Sequence, residues 1–193
     1  MKKLILLFAM ALVMQSCYVT IEIPPCMNGN LTPEQTNSIC WLSDTTSLIG
    51  LDNDDCIYAI NSNQMKDLLI SKDRTIVYRW LPYDMKNNIP IYFVQSYCDE
   101  NNIELYVITN EYTAAFAEID NVKNPIFSMN IGDCMINVEN KLEDKFYKEL
   151  FGNKYKKKFH IYYLENGEFV RTEDEMMNEK WKRNGNSFKL CAA

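Results

Sequence analysis

From residue 57 onward, apolar and polar positions switch repeatedly between a period of two and a period near 3.6, the signature of strands alternating with helices. IYAI (57–60) predicts a short strand. NSNQMKDLLISK follows with Ser62 as a possible cap and Met65, Leu68 and Leu69 at helical spacing. TIVYRW (75–80) predicts the second strand. In IPIYFVQSYCDENN, Pro90 stands near a first helical turn, Ile91, Val94 and Cys98 form one stripe, and Asn101 and Asn102 mark the end. IELYVITN (103–110) is apolar enough for a strand buried on both faces. The pattern weakens over 112–137, with a possible short helix at AAFAEI and a possible strand at PIFSMNI. VENKLEDKFYKELFG then places Val138, Leu142, Phe146 and Leu150 on one face, sets Asp144 four residues before Lys148, and stops at Gly152. In FHIYYLENGEFVRT, Asn166 and Gly167 between two apolar runs predict a type I′ hairpin. Thr172 and Glu175 predict a capping box for a last helix through about Lys182, with Met177 and Trp181 on one face.

Before residue 57 the picture differs. Leu4 to Met14 is an unbroken apolar run behind Lys2 and Lys3, too short to span a bilayer and ordered like a secretory leader. Tyr18 to about Thr46 carries Pro24, Pro25 and Pro33 among many polar residues, which predicts a tether and an arm rather than a core element. MQSC, ending in Cys17 after a small residue, resembles the lipobox of bacterial lipoproteins, although Met14 and Gln15 depart from its commonest form. The resemblance implies acylation of the Cys17 thiol and a protein tethered to a membrane rather than inserted in it. The expected organisation is a signal peptide over 1–16, a lipidated tether and arm over 17–56, and one domain over 57–193. The expected location is the cell envelope, on the periplasmic side of the outer membrane if the cell has one.

The chain has 193 residues, 47% apolar and 24% charged, with a net charge of −6. Without Lys2 and Lys3 it carries 18 basic against 26 acidic residues. That excess argues against a nucleic-acid partner, which draws on clustered positive charge. Lys154, Lys156, Lys157 and Lys158 form one basic cluster, expected to be a solvated face. Beyond Cys17 six cysteines remain: Cys26, Cys40, Cys56, Cys98, Cys134 and Cys191. In an exported chain these are candidates for up to three disulfides, with the pairing open and Cys26 and Cys40 available to pin the arm. One histidine, His160, and no short-spaced thiol pair argue against zinc. Nothing in the sequence calls for a cofactor. LDNDDC lacks the glycine and later glutamate of a calcium loop, and no GxSxG, HExxH or phosphate-binding glycine loop is present.

Strand, helix, strand, helix, strand, a variable section, helix, antiparallel hairpin and final helix is the element order of the thioredoxin-like fold, which the region 57–183 resembles. The likeness is also local: a strand ends in Trp80, Pro90 follows close to the position of a family proline, and FHIYYLENGEFV is similar to the closing hairpin. It implies an α/β domain with a central mixed sheet flanked by helices. It also places the family's two cysteines at Leu81 and Asp84 and its cis-proline at Phe159. Without those thiols, disulfide exchange at this site is lost. The resemblance therefore implies a redox-inactive domain that binds a protein or peptide in the envelope, with Trp80, Leu81, Pro82, Tyr83 and Phe159 as candidate contacts and no catalytic residue. Two alternatives differ in class. One is an envelope oxidoreductase using Cys98 or Cys134, the other a small-molecule or glycan binder drawing on the 12 tyrosines and 3 tryptophans.

Overall fold

The computed structural model describes residues 31–84, 89–129 and 136–183, with 136–140 described by backbone alone. Helix α1 (Pro33–Asn37) and strand β1 (Ile39–Trp41) come first, then β2 (Ile57–Ile60), α2 (Ser62–Ile70), β3 (Arg74–Arg79), α3 (Ile91–Asn101) and β4 (Glu104–Ile108). They are followed by α4 (Tyr112–Glu118), β5 (Ile126–Met129), α5 (Ile136–Phe151), β6 (Ile161–Glu165), β7 (Glu168–Thr172) and α6 (Asp174–Arg183). The chain is thus α/β. Its seven strands form one mixed sheet in the order β1-β2-β5-β4-β3-β6-β7, parallel from β1 to β3 and antiparallel through β6 and β7.

Period-two alternation divides the core between the two faces. On β3, Ile76 and Tyr78 point to one face, where they meet Ile91, Val94 and Cys98 of α3, Ala115 of α4 and Met177 of α6. Val77 points to the other, against Met65, Leu68 and Leu69 of α2 and Phe146, Tyr147 and Phe151 of α5. Helices therefore cover both faces, and the central strands read as continuous apolar runs because neither side meets water. Tyr106, Tyr162 and Tyr163 are buried strand tyrosines whose hydroxyls reach acceptors at the rim: Glu104, the carbonyls of Lys156 and Phe159, and Glu165 respectively.

Several expectations need correction. The arm is not wholly outside the core: β1 pairs with β2, and Ile39 and Leu48 are buried, because β2 would otherwise leave an apolar edge unpaired. The cap of α2 is Asn61, which exchanges hydrogen bonds with Gln64, while Ser62 donates to Glu149 of α5. Thr172 is drawn into β7 by pairing with Tyr162, so it does not cap α6, which begins two residues later at Asp174. Asp144 accepts a bond from the Tyr155 hydroxyl at 2.9 Å, and the ion pair at that spacing on α5 is Lys145 with Glu149. The buried face of α5 includes Glu143 and Tyr147 beside Phe146, whereas Leu142 and Leu150 are half-buried. Val138 lies among the residues whose side chains are not described.

The strand at 126–129 exists and lies inside the sheet, between β2 and β4. The hairpin turn takes the expected backbone, with φ of 50° at Asn166 and 77° at Gly167. Asn102 ends α3 in the left-handed conformation, where asparagine is tolerated. No helix of the described residues is long and apolar enough to cross a membrane.

Candidate functional site

The carboxyl ends of the parallel strands are where open α/β sheets ordinarily receive ligands. At that edge β3 delivers Arg79 and Trp80, and the chain turns at once, with the Asp84 N–H donating to the Leu81 carbonyl at 3.0 Å. Trp80 is 4% exposed and packs in the α3 core, its N–H bonded to the Ile108 carbonyl. It supports the turn from beneath and offers little surface to a partner. Leu81 and Pro82 are half-buried. Tyr83 is 72% exposed at the tip. Because α3 begins at Ile91, Leu81 and Asp84 lie on this turn and not in the first turn of the helix.

The antiparallel strand β6 brings the segment before it to the same edge. Phe159 is half-buried, with the Lys158 ammonium 4.8 Å from its ring centre. His160 Nε2 lies 3.5 Å from Asp84 Oδ2, so the two segments chosen from sequence do meet. Burial, then the charge of Arg79, holds the His160 imidazole below its ordinary range, against the opposing pull of Asp174 and Asp84. Asp174 accepts from the backbone N–H groups of His160 and Ile161 at 2.6 and 3.1 Å, tying the start of α6 to the start of β6. Its carboxyl is nonetheless pushed up by burial.

Beneath the edge lies a buried ionic link. The side chain of Arg79, pointing to the α5 face, donates from Nε to Glu143 Oε1 at 2.6 Å and from Nη1 to the Lys157 carbonyl at 2.9 Å. Its own backbone N–H reaches the His160 carbonyl. Tyr78 clamps the far side of the loop, donating to the Ile89 carbonyl at 2.7 Å and accepting from the Ile89 N–H at 3.1 Å. Tyr78, Arg79, Glu143 and Asp174 were not among the candidates from sequence. The available signal was a charge inside an otherwise apolar strand, RTIVYRW, and another on the apolar side of α5.

The thiols divide into two groups. Cys98 is fully buried in the α3 core, and burial followed by Asp99 pushes it up to about 12, the opposite of what a nucleophile needs. Cys40 and Cys56 are half-buried on the other face, with their sulfurs 3.1 Å apart. Cys17, Cys26, Cys134 and Cys191 lie outside the described residues. Among those residues no group of three or more His, Cys, Asp or Glu side chains could hold a metal ion. The large exposed aromatics there are Tyr83 and Tyr92, on different segments. Lys154, Lys156, Lys157 and Lys158 are exposed.

No protein-family model, curated protein or solved structure matches this chain.

Proposed function

We propose that the chain is a membrane-tethered envelope lipoprotein whose thioredoxin-like domain is redox-inactive and binds a protein or peptide partner at the carboxyl edge of β3. The observation that carries the binding part of this reading is Tyr83: a large aromatic, 72% exposed, on a short turn braced from below. An aromatic held out by a fixed scaffold offers contact area at little conformational cost, which is how binding hot spots are built. Leu81, Pro82 and Phe159 supply the partly covered apolar surround, and Trp80 is assigned to support. The order of elements from β2 to α6 and the absence of sulfur at Leu81 and Asp84 favour binding over disulfide exchange. The oxidoreductase alternative is weakened by the burial of Cys98.

The test has two arms. Cys17→Ala should move the protein from the membrane fraction to the soluble one; retention would overturn the anchoring. Separately, the lipidated protein used as bait in solubilised envelope should retain a specific partner that Tyr83→Ser and Phe159→Ala both lose while their circular dichroism stays native. Equal capture by all three proteins would remove the binding site from this edge. Reduction of insulin disulfides by the native protein would count against the redox-inactive assignment.

A further inference from the structure

We infer that Cys40 and Cys56 form an intramolecular disulfide that fastens the edge strand β1 to the strand beside it. β1 pairs in parallel with β2, Cys40 opposite Tyr58, so Cys56 lies two residues earlier on the same face. Both cysteines pack against the same core cluster, that of α2 and α5. Asp55 adopts a left-handed backbone, φ 57°, immediately before Cys56, and the Ile57 N–H bonds to the Ser38 carbonyl. These features bring the sulfurs to 3.1 Å, so a bond of about 2.05 Å requires them to close by only about 1 Å. Cys98 is excluded as a partner because it is buried on the opposite face of the sheet.

The bond has a structural use. β1 has three residues and one neighbour, whereas all four residues of β2 are buried. Loss of β1 would expose an apolar strand with unpaired backbone groups, a template for aggregation. A covalent tie between β1 and the start of β2 prevents that peeling. Burial and the adjacent Cys40 push the Cys56 thiol up to about 11, which disfavours the thiolate and suits a lasting bond rather than an exchange-active one. In the oxidation step both thiols lose their protons and one electron each. The electron pair and protons pass to an external disulfide such as oxidised glutathione, which leaves as two thiols. The inference is independent of what the carboxyl edge binds and of how the chain is anchored.

The experiment equilibrates the purified full-length protein with oxidised glutathione, quenches with acid, alkylates free thiols and maps peptides without reduction. A peptide pair joining Cys40 to Cys56 is expected. Reduction should lower the melting temperature by on the order of 6–12 °C, the range for a short closed loop in a chain of this size. In the Cys40→Ser, Cys56→Ser double variant that shift should be correspondingly smaller, which separates this bond from any other. Recovery of both cysteines as alkylated thiols, or of either one bridged to a different cysteine, would overturn the inference.

Discussion

Arg79 of β3 and Glu143 of α5 are separated by 64 positions in sequence and by 2.6 Å in space, with 3% and 8% of their surfaces exposed. A buried pair of this kind adds little over a well-packed apolar pair, but loss of one partner strands the other charge. Arg79→Met or Glu143→Leu alone should each lower unfolding free energy by about 3–5 kcal/mol. The double variant should lose much less than the two single losses together. Urea denaturation of the four proteins measures the difference, and simple additivity would mean the pair is not coupled.

Tyr147 lies beside that pair, fully buried, with its ring stacked near Phe151, Tyr155 and Tyr162. Its hydroxyl has no hydrogen-bond partner among the described residues. Removing an unsatisfied buried hydroxyl recovers part of its desolvation cost, so Tyr147→Phe should leave stability unchanged or raise it by about 1 kcal/mol. A loss of comparable size in the same denaturation assay would reveal a partner for that oxygen.

The β6–β7 hairpin has a stricter requirement at its second turn residue. Gly167 has φ of 77°, and a β-carbon there would stand 2.8 Å from the Ile70 Cα at the end of α2. Gly167→Ala should therefore cost at least about 1–2 kcal/mol from the backbone alone, plus the displacement of α2. Asn166→Gly should be tolerated, since asparagine already occupies a conformation open to glycine. Thermal melting of both variants distinguishes them, and a native melting temperature for Gly167→Ala would contradict this packing.

His160 sets a pH dependence whose sign follows from its burial. The unfolded imidazole takes a proton near 6.5, and the folded one only at lower pH. Between those values the unfolded state binds more protons, so stability is retained above 6.5 and lost as pH falls through the window. Arg79 opposes the charge, while Asp84 and Asp174 favour it. Asp174, raised by burial, gains stability as it protonates at lower pH and carries the opposite sign. Between about pH 7.5 and about pH 5.5 the native protein should lose more stability than His160→Gln, which lacks the titrating imidazole and also the charge that helped hold the Asp174 carboxyl down. Parallel losses in the two proteins would place the titration elsewhere.

Much of the element order was legible along the chain because the signals are local. Ile91, Val94 and Cys98 recur at the helical period, and all three are fully buried. Asn166 and Gly167 must accept positive φ wherever the hairpin lies, so two residues specify that turn. From Leu105 to Ile108 the strand is apolar on both faces because it is central to a sheet covered on both sides, and that too is written in its composition.

Tertiary structure decided everything that depends on distant segments meeting. A three-residue strand such as β1 has no period to read, and it exists because β2 offers an open edge. Thr172 has the residue type of a cap, but pairing with Tyr162 holds it in the sheet. The thioredoxin-like resemblance offers Trp80 as a contact residue, whereas alternation along β3 turns it inward to the α3 core. That same alternation sent Arg79 to the other face, where α5 supplies Glu143. The sequence leaves Cys40 with several candidate thiols, and the parallel register of β1 with β2 sets the Cys56 sulfur 3.1 Å from it on one face. Sequence thus carried what each residue demands of its own backbone and neighbours, while folding alone determined which remote groups share the low-dielectric interior, where a charge such as that of Arg79 needs a partner.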